Sequence, residues 1–130
     1  MQLFTSKWIK RLLIIGFLLS THPYIYSQSK VLLSDEKQII EQAVRELNSA
    51  FTPPEGKLYQ ALSLLPVSNS TYIFDITVHK KGEIATVYAV NPGEGTIAVR
   101  NKLEIILRQF QLSFKMPKNN RYKFQYTIKY

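Results

Sequence analysis

The sequence predicts a two-layer α+β domain in which helices cover one face of a three-stranded antiparallel sheet, in the order α-β-β-α-β. Two segments space their apolar residues as a helix does, and three others alternate with a period of two. Short loops join these segments. With 130 residues, 45% of them hydrophobic and 20% charged, the chain has the composition of one globular domain rather than of a disordered segment.

The N-terminal segment, residues 1–27, is interpreted as a signal peptide. Three basic residues lie within its first 11 positions, an apolar run occupies residues 12–19, and polar residues with Pro23 follow. A helix that spans a bilayer needs about 20 apolar residues. The shorter run therefore favours an export signal over a membrane anchor.

Cleavage is expected between Ser27 and Gln28, which leaves residues 28–130 as one exported domain. Cleavage after Ser20, or an uncleaved N-terminal anchor, is the alternative, and the membrane is then contacted only through this segment. The chain has no cysteine. A small exported domain without disulfides fits a bacterial periplasm best, with the extracellular medium as the alternative.

The first element of this domain is predicted to be an amphipathic helix over Ser34–Phe51. Ser34 is the expected N-cap, and Asp35 and Glu36 lie in the first turn, where the helix dipole favours acids. The apolar face consists of Ile40, Ala43, Val44, Leu47 and Phe51. A Pro-Pro-Glu-Gly run ends the helix. The following Lys57–Pro66 segment has helical spacing over a short length, so it is a short helix or a turn.

A β-hairpin is predicted next. Thr71–His79 alternates, and one face carries Tyr72, Phe74, Ile76 and Val78. Lys80–Glu83 contains a glycine and forms a tight turn, and Ile84–Val90 is the returning strand.

A second helix and a final strand complete the predicted order. The helix follows a Gly-rich loop at residues 91–95, begins after Thr96 or Asn101 as its N-cap, and ends near Phe110. Its apolar stripe consists of Leu103, Ile106, Leu107 and Phe110. In the last ten residues, Tyr122, Phe124, Tyr126, Ile128 and Tyr130 alternate with Arg121, Lys123, Gln125, Thr127 and Lys129. This pattern predicts a strand with one face on a core and one in water.

Residues that carry catalytic or metal chemistry are scarce. The absence of cysteine excludes a thiolate zinc site and a cysteine nucleophile, and the two histidines are too few for an imidazole-rich metal site. His79 is the one histidine left after signal cleavage, and Asp75 lies on the same face of its strand. No nucleophile elbow supplies a serine to them. We therefore expect no enzyme activity and no metal.

Two binding motifs are also weak. Residues 93–98 fit G-x-G-x-x-A between a strand and a helix, but a dinucleotide site needs a parallel βαβ unit and an acid about 20 residues on, and the residues near 115 are basic or neutral. The aromatic residues of the last strand lie on the face opposite the cations, so they are not expected to stack on bases. We expect neither a cofactor nor nucleic acid as a partner.

Charge is distributed unevenly along the chain. Residues 100–130 hold eight Lys or Arg side chains and one acid, Glu104. A solvated basic strand and loop account for this excess, and a surface that meets anionic lipid, polysaccharide or an acidic partner is the alternative.

Residues 72–130 resemble the C-terminal domain of TonB, the periplasmic energy transducer, in the form found in Bacteroidota. The similar features are the Phe74–Val78 strand, the hairpin at Gly82, a helix rich in Leu and Ile, the Phe110–Pro117 segment with its spaced aromatics, and the alternating strand to Tyr130. The resemblance implies an exposed sheet edge that pairs with an extended peptide of an outer-membrane receptor.

On that resemblance, the partner-binding residues are those of the last strand, Arg121, Lys123, Gln125, Thr127 and Lys129. The expected function is an exported, non-enzymatic domain that binds a protein or peptide by strand addition, and a second copy on the same edge leaves a homodimer open. The first alternative is a membrane-anchored transducer component. Only residues 20–33 separate the apolar segment from the first helix, and they reach about 50 Å when fully extended, which is short for crossing the periplasm. The other alternative is a small enzyme of an unrecognised family.

Overall fold

Three long strands organise the part of the chain that the structure, a computed structural model, describes, residues 30–130. The predicted signal segment and its Ser27–Gln28 cleavage site lie outside the described residues. The elements are β1 (Val31–Leu32), α1 (Glu36–Ala50), α2 (Lys57–Leu62), β2 (Thr71–His79), β3 (Glu83–Ala89), α3 (Ile97–Gln109), β4 (Phe114–Lys115) and β5 (Arg121–Lys129).

The main sheet has the order β3-β2-β5, and both pairings are antiparallel. The predicted α+β fold with a three-stranded antiparallel sheet is therefore confirmed, and the first strand of the hairpin is central. Its inward side chains form the middle of the core, Tyr72, Phe74, Ile76 and Val78. They pack with the buried faces of the helices, as the period of two predicts.

A bulge interrupts the hairpin. Thr77 lies opposite Thr86, but Val78 lies opposite Ile84, so the register shifts by one residue between these pairs. Ile84 and Val87 are both buried although they are three residues apart. The extra residue of a bulge breaks the period of two, and for this reason the sequence pattern of β3 is weaker than that of β2 and β5.

Helix α1 begins one residue later than predicted, and its buried face is rotated. Asp35, not Ser34, is the N-cap, because its carboxylate accepts a hydrogen bond from the Gln38 amide at 3.0 Å. The buried residues are Ile39, Ala43, Leu47 and Ala50. The predicted face residues Ile40 and Val44 are half-buried beside them. Both faces fit helical periodicity, and packing decides between them.

The structure decides two points that the sequence leaves open: whether residues 57–66 form a helix, and which residue caps α3. The ambiguous segment contains a short helix, α2, which buries Leu58 and Leu62. Helix α3 is capped by Thr96, whose hydroxyl accepts from the Val99 amide at 3.4 Å, while Asn101 lies within the helix. Its buried residues are Val99, Leu103, Ile106 and Leu107.

A pair of two-residue strands, β1 and β4, was not predicted. They run parallel, with Val31 opposite Phe114 and Leu32 opposite Lys115. The Leu33 amide also donates to the Lys115 carbonyl at 2.8 Å. Two residues are too few to show a period, so only the tertiary structure reveals this pairing. Within residues 30–130, no helix has the length and apolar character needed to cross a membrane.

Candidate functional site

Strand β5 is an edge of the main sheet. It pairs with β2 in an unbroken register from Thr71 opposite Lys129 to His79 opposite Arg121. In the described part of the chain no strand pairs with its other side. The backbone along that side is therefore a template on which a further strand can add.

The direction of each backbone amide of β5 follows from its last pair. The Tyr130 amide donates to the Ser70 carbonyl at 3.0 Å, and the Ser70 amide donates to the Tyr130 carbonyl at 3.0 Å. In an antiparallel ladder such doubly bonded pairs alternate with pairs that share no hydrogen bond. The even-numbered residues of β5 therefore bond to β2, and the odd-numbered residues direct their N–H and C=O groups away from the sheet.

The backbone of Ile73 supports this assignment from the other strand. Ile73 lies opposite Thr127, but its carbonyl accepts from the Val90 amide at 2.8 Å and its amide donates to Asn91 Oδ1 at 2.9 Å. Both groups of Ile73 thus face β3. Thr127 consequently shares no backbone hydrogen bond with its opposite residue and presents its own amide to the open side.

All five residues predicted to bind a partner lie on this strand and share two properties. They are the odd-numbered residues of β5, so their backbone groups point outward, and their side chains are exposed: Arg121, Lys123, Gln125, Thr127 and Lys129. The even-numbered residues between them are buried or half-buried on the core face. The structure therefore brings the predicted residues into one continuous edge.

The opposite edge of the sheet, on β3, is covered at two points. The guanidinium of Arg108 donates to the outward carbonyl of Val87 at 3.4 Å, and Gln111 forms an isolated antiparallel bridge with Glu83. Helix α3 also contacts β3. The sequence did not single out Arg108 or Gln111, since nothing local distinguishes them. Because β3 is blocked in this way, β5 is the better candidate for strand addition.

The far end of β5 is held rigidly. The hydroxyl of Tyr130 donates to the carbonyls of Leu62 and Leu65, at 2.7 and 2.5 Å, and the Ser68 hydroxyl donates to the Tyr130 carbonyl at 2.6 Å. These bonds join the last residue to the α2 region. An edge that is already ordered loses little further entropy when a partner binds.

The middle of β5 is fixed against helix α1. The Tyr126 ring stacks on Phe51 with a centroid separation of 6.1 Å, and its hydroxyl donates to Asn48 Oδ1 at 2.8 Å. Burial raises the pKa of Tyr126 to about 12. The hydroxyl is therefore a neutral structural donor rather than a proton-transfer group at ordinary pH.

The exposed face of β5 itself carries three cationic side chains and no acidic one. The ion pairs within residues 30–130 are Lys37 with Glu41 and His79 with Glu83. In that part of the chain no carboxylate lies within 4.0 Å of the cationic groups of β5, which belong to Arg121, Lys123 and Lys129. The edge thus combines open hydrogen-bonding groups with a positive potential.

A surface groove of about 610 Å³ lies at the C-terminal end of β5. Its walls include Tyr59, Leu65, Val67 and Lys129. Among residues 30–130, no histidine, aspartate or glutamate side chain lines it.

His79 and Asp75, weighed above as catalytic candidates, lie four residues apart on β2. His79 ends β2, and its Nε2 atom lies 3.3 Å from the Glu83 carboxylate across the hairpin. Asp75 lies on the same strand, opposite Tyr88 and Gln125. No group of three or more His, Asp or Glu side chains that could hold a metal ion occurs among residues 30–130.

The G-x-G-x-x-A segment has a structural role. Gly95 has a φ of +69°, and a side chain there would collide with the ring of Tyr72. The Thr96 amide, at the start of α3, donates to the Tyr72 hydroxyl at 2.9 Å. Burial acts to raise the pKa of Tyr72, but its hydrogen bonds with Ser68 and Thr96 outweigh burial and lower it. Since a tyrosine occupies this helix terminus and β2 separates β3 from β5, the loop lacks the geometry of a dinucleotide site.

Comparison with protein-family models, with curated proteins and with solved structures finds no match to this chain. The resemblance to the TonB C-terminal domain therefore rests on the residue pattern alone and stays a prediction.

Proposed function

We propose that this chain is an exported, non-enzymatic domain that binds a protein or peptide by strand addition along β5. The observation that carries the proposal is the direction of the backbone groups on this edge. Five consecutive odd-numbered residues, from Arg121 to Lys129, direct their N–H and C=O groups outward, and all five side chains are exposed. An extended peptide satisfies such groups with a regular ladder of hydrogen bonds.

The asymmetry between the two sheet edges supports the choice of β5. On β3, the contacts of Arg108 and Gln111 obstruct an incoming strand. On β5, the anchoring of Tyr126 and Tyr130 keeps the strand straight and ordered. A partner that adds to β5 extends the sheet to four strands without displacing any element of residues 30–130.

The most direct test removes one backbone N–H donor that points outward from β5. Thr127→Pro removes an N–H that takes no part in the pairing with β2, and proline is tolerated at such edge positions. Thr127→Ala is the matched control, because it keeps the amide. A display library of random extended peptides is selected on the wild-type chain, and each enriched peptide is measured against both variants by fluorescence anisotropy.

We expect enriched peptides to lose at least about tenfold in affinity with Thr127→Pro and to bind the Thr127→Ala variant nearly as the wild type does. One lost hydrogen bond and the bulk of the ring together account for a factor of this size. Circular dichroism checks that the proline variant folds. Undiminished binding by a folded Thr127→Pro variant would show that β5 is not the binding edge.

Export and the anchored alternative are tested separately, because they depend on residues 1–27. Fractionation of the native host, followed by intact mass measurement, is expected to find a species that begins at Gln28 outside the cytoplasm. A membrane-bound species that retains Met1 would contradict the cleavage prediction and favour the anchored transducer component.

A further inference from the structure

We infer that the partner of β5 is an extended acidic segment with acidic and apolar side chains in alternation, an inference that rests on the strand-addition function proposed above. The outward-facing backbone and the positive charge belong to the same residues. Of the five odd-numbered side chains, those of Arg121, Lys123 and Lys129 are cationic, exposed and without an ion pair within residues 30–130.

An added strand would face these cations directly. Side chains on the same face of neighbouring antiparallel strands lie about 4.5–5.5 Å apart at Cβ. Acidic residues at alternate positions of the partner would therefore lie opposite Arg121, Lys123 and Lys129. Each opposite-charge pair strengthens binding by roughly 1.5- to fivefold, and the three factors multiply to roughly 3- to 125-fold.

The other face of the partner strand has the opposite requirement. On that face β5 presents Phe124, Tyr126 and Ile128, which are buried, and Tyr122, which is half-buried. Side chains of an added strand that point this way would extend the apolar core past the edge, and apolar residues suit that position best. The partner strand is thus expected to carry acidic side chains on its solvent-facing side and apolar side chains on its core-facing side.

The same charges argue against a second copy of this chain as the occupant. In the antiparallel register that overlaps two β5 strands along their full length, Arg121 of each copy lies opposite Lys129 of the other. A parallel in-register pairing sets every cation beside its own counterpart. Like charges directly opposite one another destabilise a strand pair, so self-pairing is opposed where an acidic strand is attracted.

The inference is tested with two designed nine-residue peptides, long enough to lie opposite Arg121, Lys123 and Lys129 together. In the first, Glu alternates with Val, and in the second, Gln replaces every Glu. Affinity for the purified chain is measured by fluorescence anisotropy at 50 and 300 mM NaCl. We expect the Glu peptide to bind at least about threefold more tightly at low salt, with a ratio that falls at high salt because exposed charge pairs are screened.

Charge variants test whether the preference for the Glu peptide depends on the cations of β5. The Arg121→Gln, Lys123→Gln, Lys129→Gln triple variant is expected to bring the two peptides to nearly equal affinity. A control triple variant, Lys37→Gln, Lys57→Gln, Lys102→Gln, removes the same number of charges from the three helices and is expected to preserve the preference.

The outcomes separate this inference from the proposed function. Equal binding of the two peptides, with both lost in Thr127→Pro, overturns the acidic partner and leaves strand addition standing. Binding of the Glu peptide that persists in Thr127→Pro overturns strand addition itself. Binding of neither peptide overturns the acidic partner, as does a dimer in sedimentation equilibrium that Thr127→Pro dissociates.

Discussion

The hairpin turn at Gly82 offers the most direct test of the structure. Gly82 has a φ of +77°, and a β-carbon there would collide with the Phe114 carbonyl and lie 2.8 Å from the Leu112 carbonyl oxygen. The Leu112 amide in turn donates to the Gly82 carbonyl at 3.0 Å, and the Met116 amide donates to the Lys80 carbonyl at 2.7 Å. The turn is therefore hydrogen-bonded to the Leu112–Met116 segment. The preceding residue, Gln111, forms the bridge with Glu83 at the start of β3.

The cost of Gly82→Ala can be worked out from these contacts. An L-residue at this φ costs about 1–2 kcal/mol. The collision with two backbone carbonyls forces the segment at Leu112 to move, which weakens two hydrogen bonds worth about 1 kcal/mol each. We expect a loss of about 2–4 kcal/mol in the free energy of unfolding. For a domain of this size the melting temperature then falls by at least about 10 °C.

Gly93→Ala is the matched control. No heavy atom lies within 4 Å of the place where its β-carbon would be, and its φ is not positive. Alanine at such a site is neutral or slightly stabilising. Urea denaturation followed by circular dichroism measures both variants. If Gly82→Ala loses less than about 1 kcal/mol relative to Gly93→Ala, the packing of the turn against Leu112 and Phe114 is wrong.

Three further predictions concern β5 and the core. In hydrogen exchange measured by NMR, the odd-numbered amides of β5 are expected to show less than about tenfold protection. The even-numbered amides should show much more, since only they bond to β2. Equal protection of both sets would refute the assigned amide directions. The raised pKa of Tyr126, about 12 against about 10 in the unfolded chain, favours the neutral hydroxyl in the folded state, so its contribution is present below pH 10 and lost as the pH rises towards 12. Chemical denaturation across this window should show a decline of at most about 2–3 kcal/mol from this group, and Tyr126→Phe should lack it; an identical decline in the variant would contradict this origin. Leu47 is fully buried in α1, so Leu47→Ala should lower the free energy of unfolding by about 2–5 kcal/mol, whereas Lys37→Ala on the exposed side should change it by less than about 0.5 kcal/mol.

Periodicity explains why much of the fold follows from the sequence. In β2 the alternation from Tyr72 to Val78 identifies the buried face correctly, because side chains of a strand alternate regardless of their partners. The same holds for β5, whose exposed residues the alternation identifies correctly. In α1, by contrast, two helical faces compete, and burial of Ile39 rather than Ile40 depends on how the helix packs.

The sequence by itself determined the order of the helices and of the three long strands, the inward and outward faces of β2 and β5, and the uneven charge, because these depend on neighbours along the chain. Only the tertiary structure decided that β5 is an open edge, that its odd-numbered amides point outward, and that β3 is obstructed. The decisive contacts join residues far apart in sequence, such as Ser70 with Tyr130 and Val87 with Arg108. Local sequence patterns do not indicate such pairings, since the pairings form only when the whole core assembles.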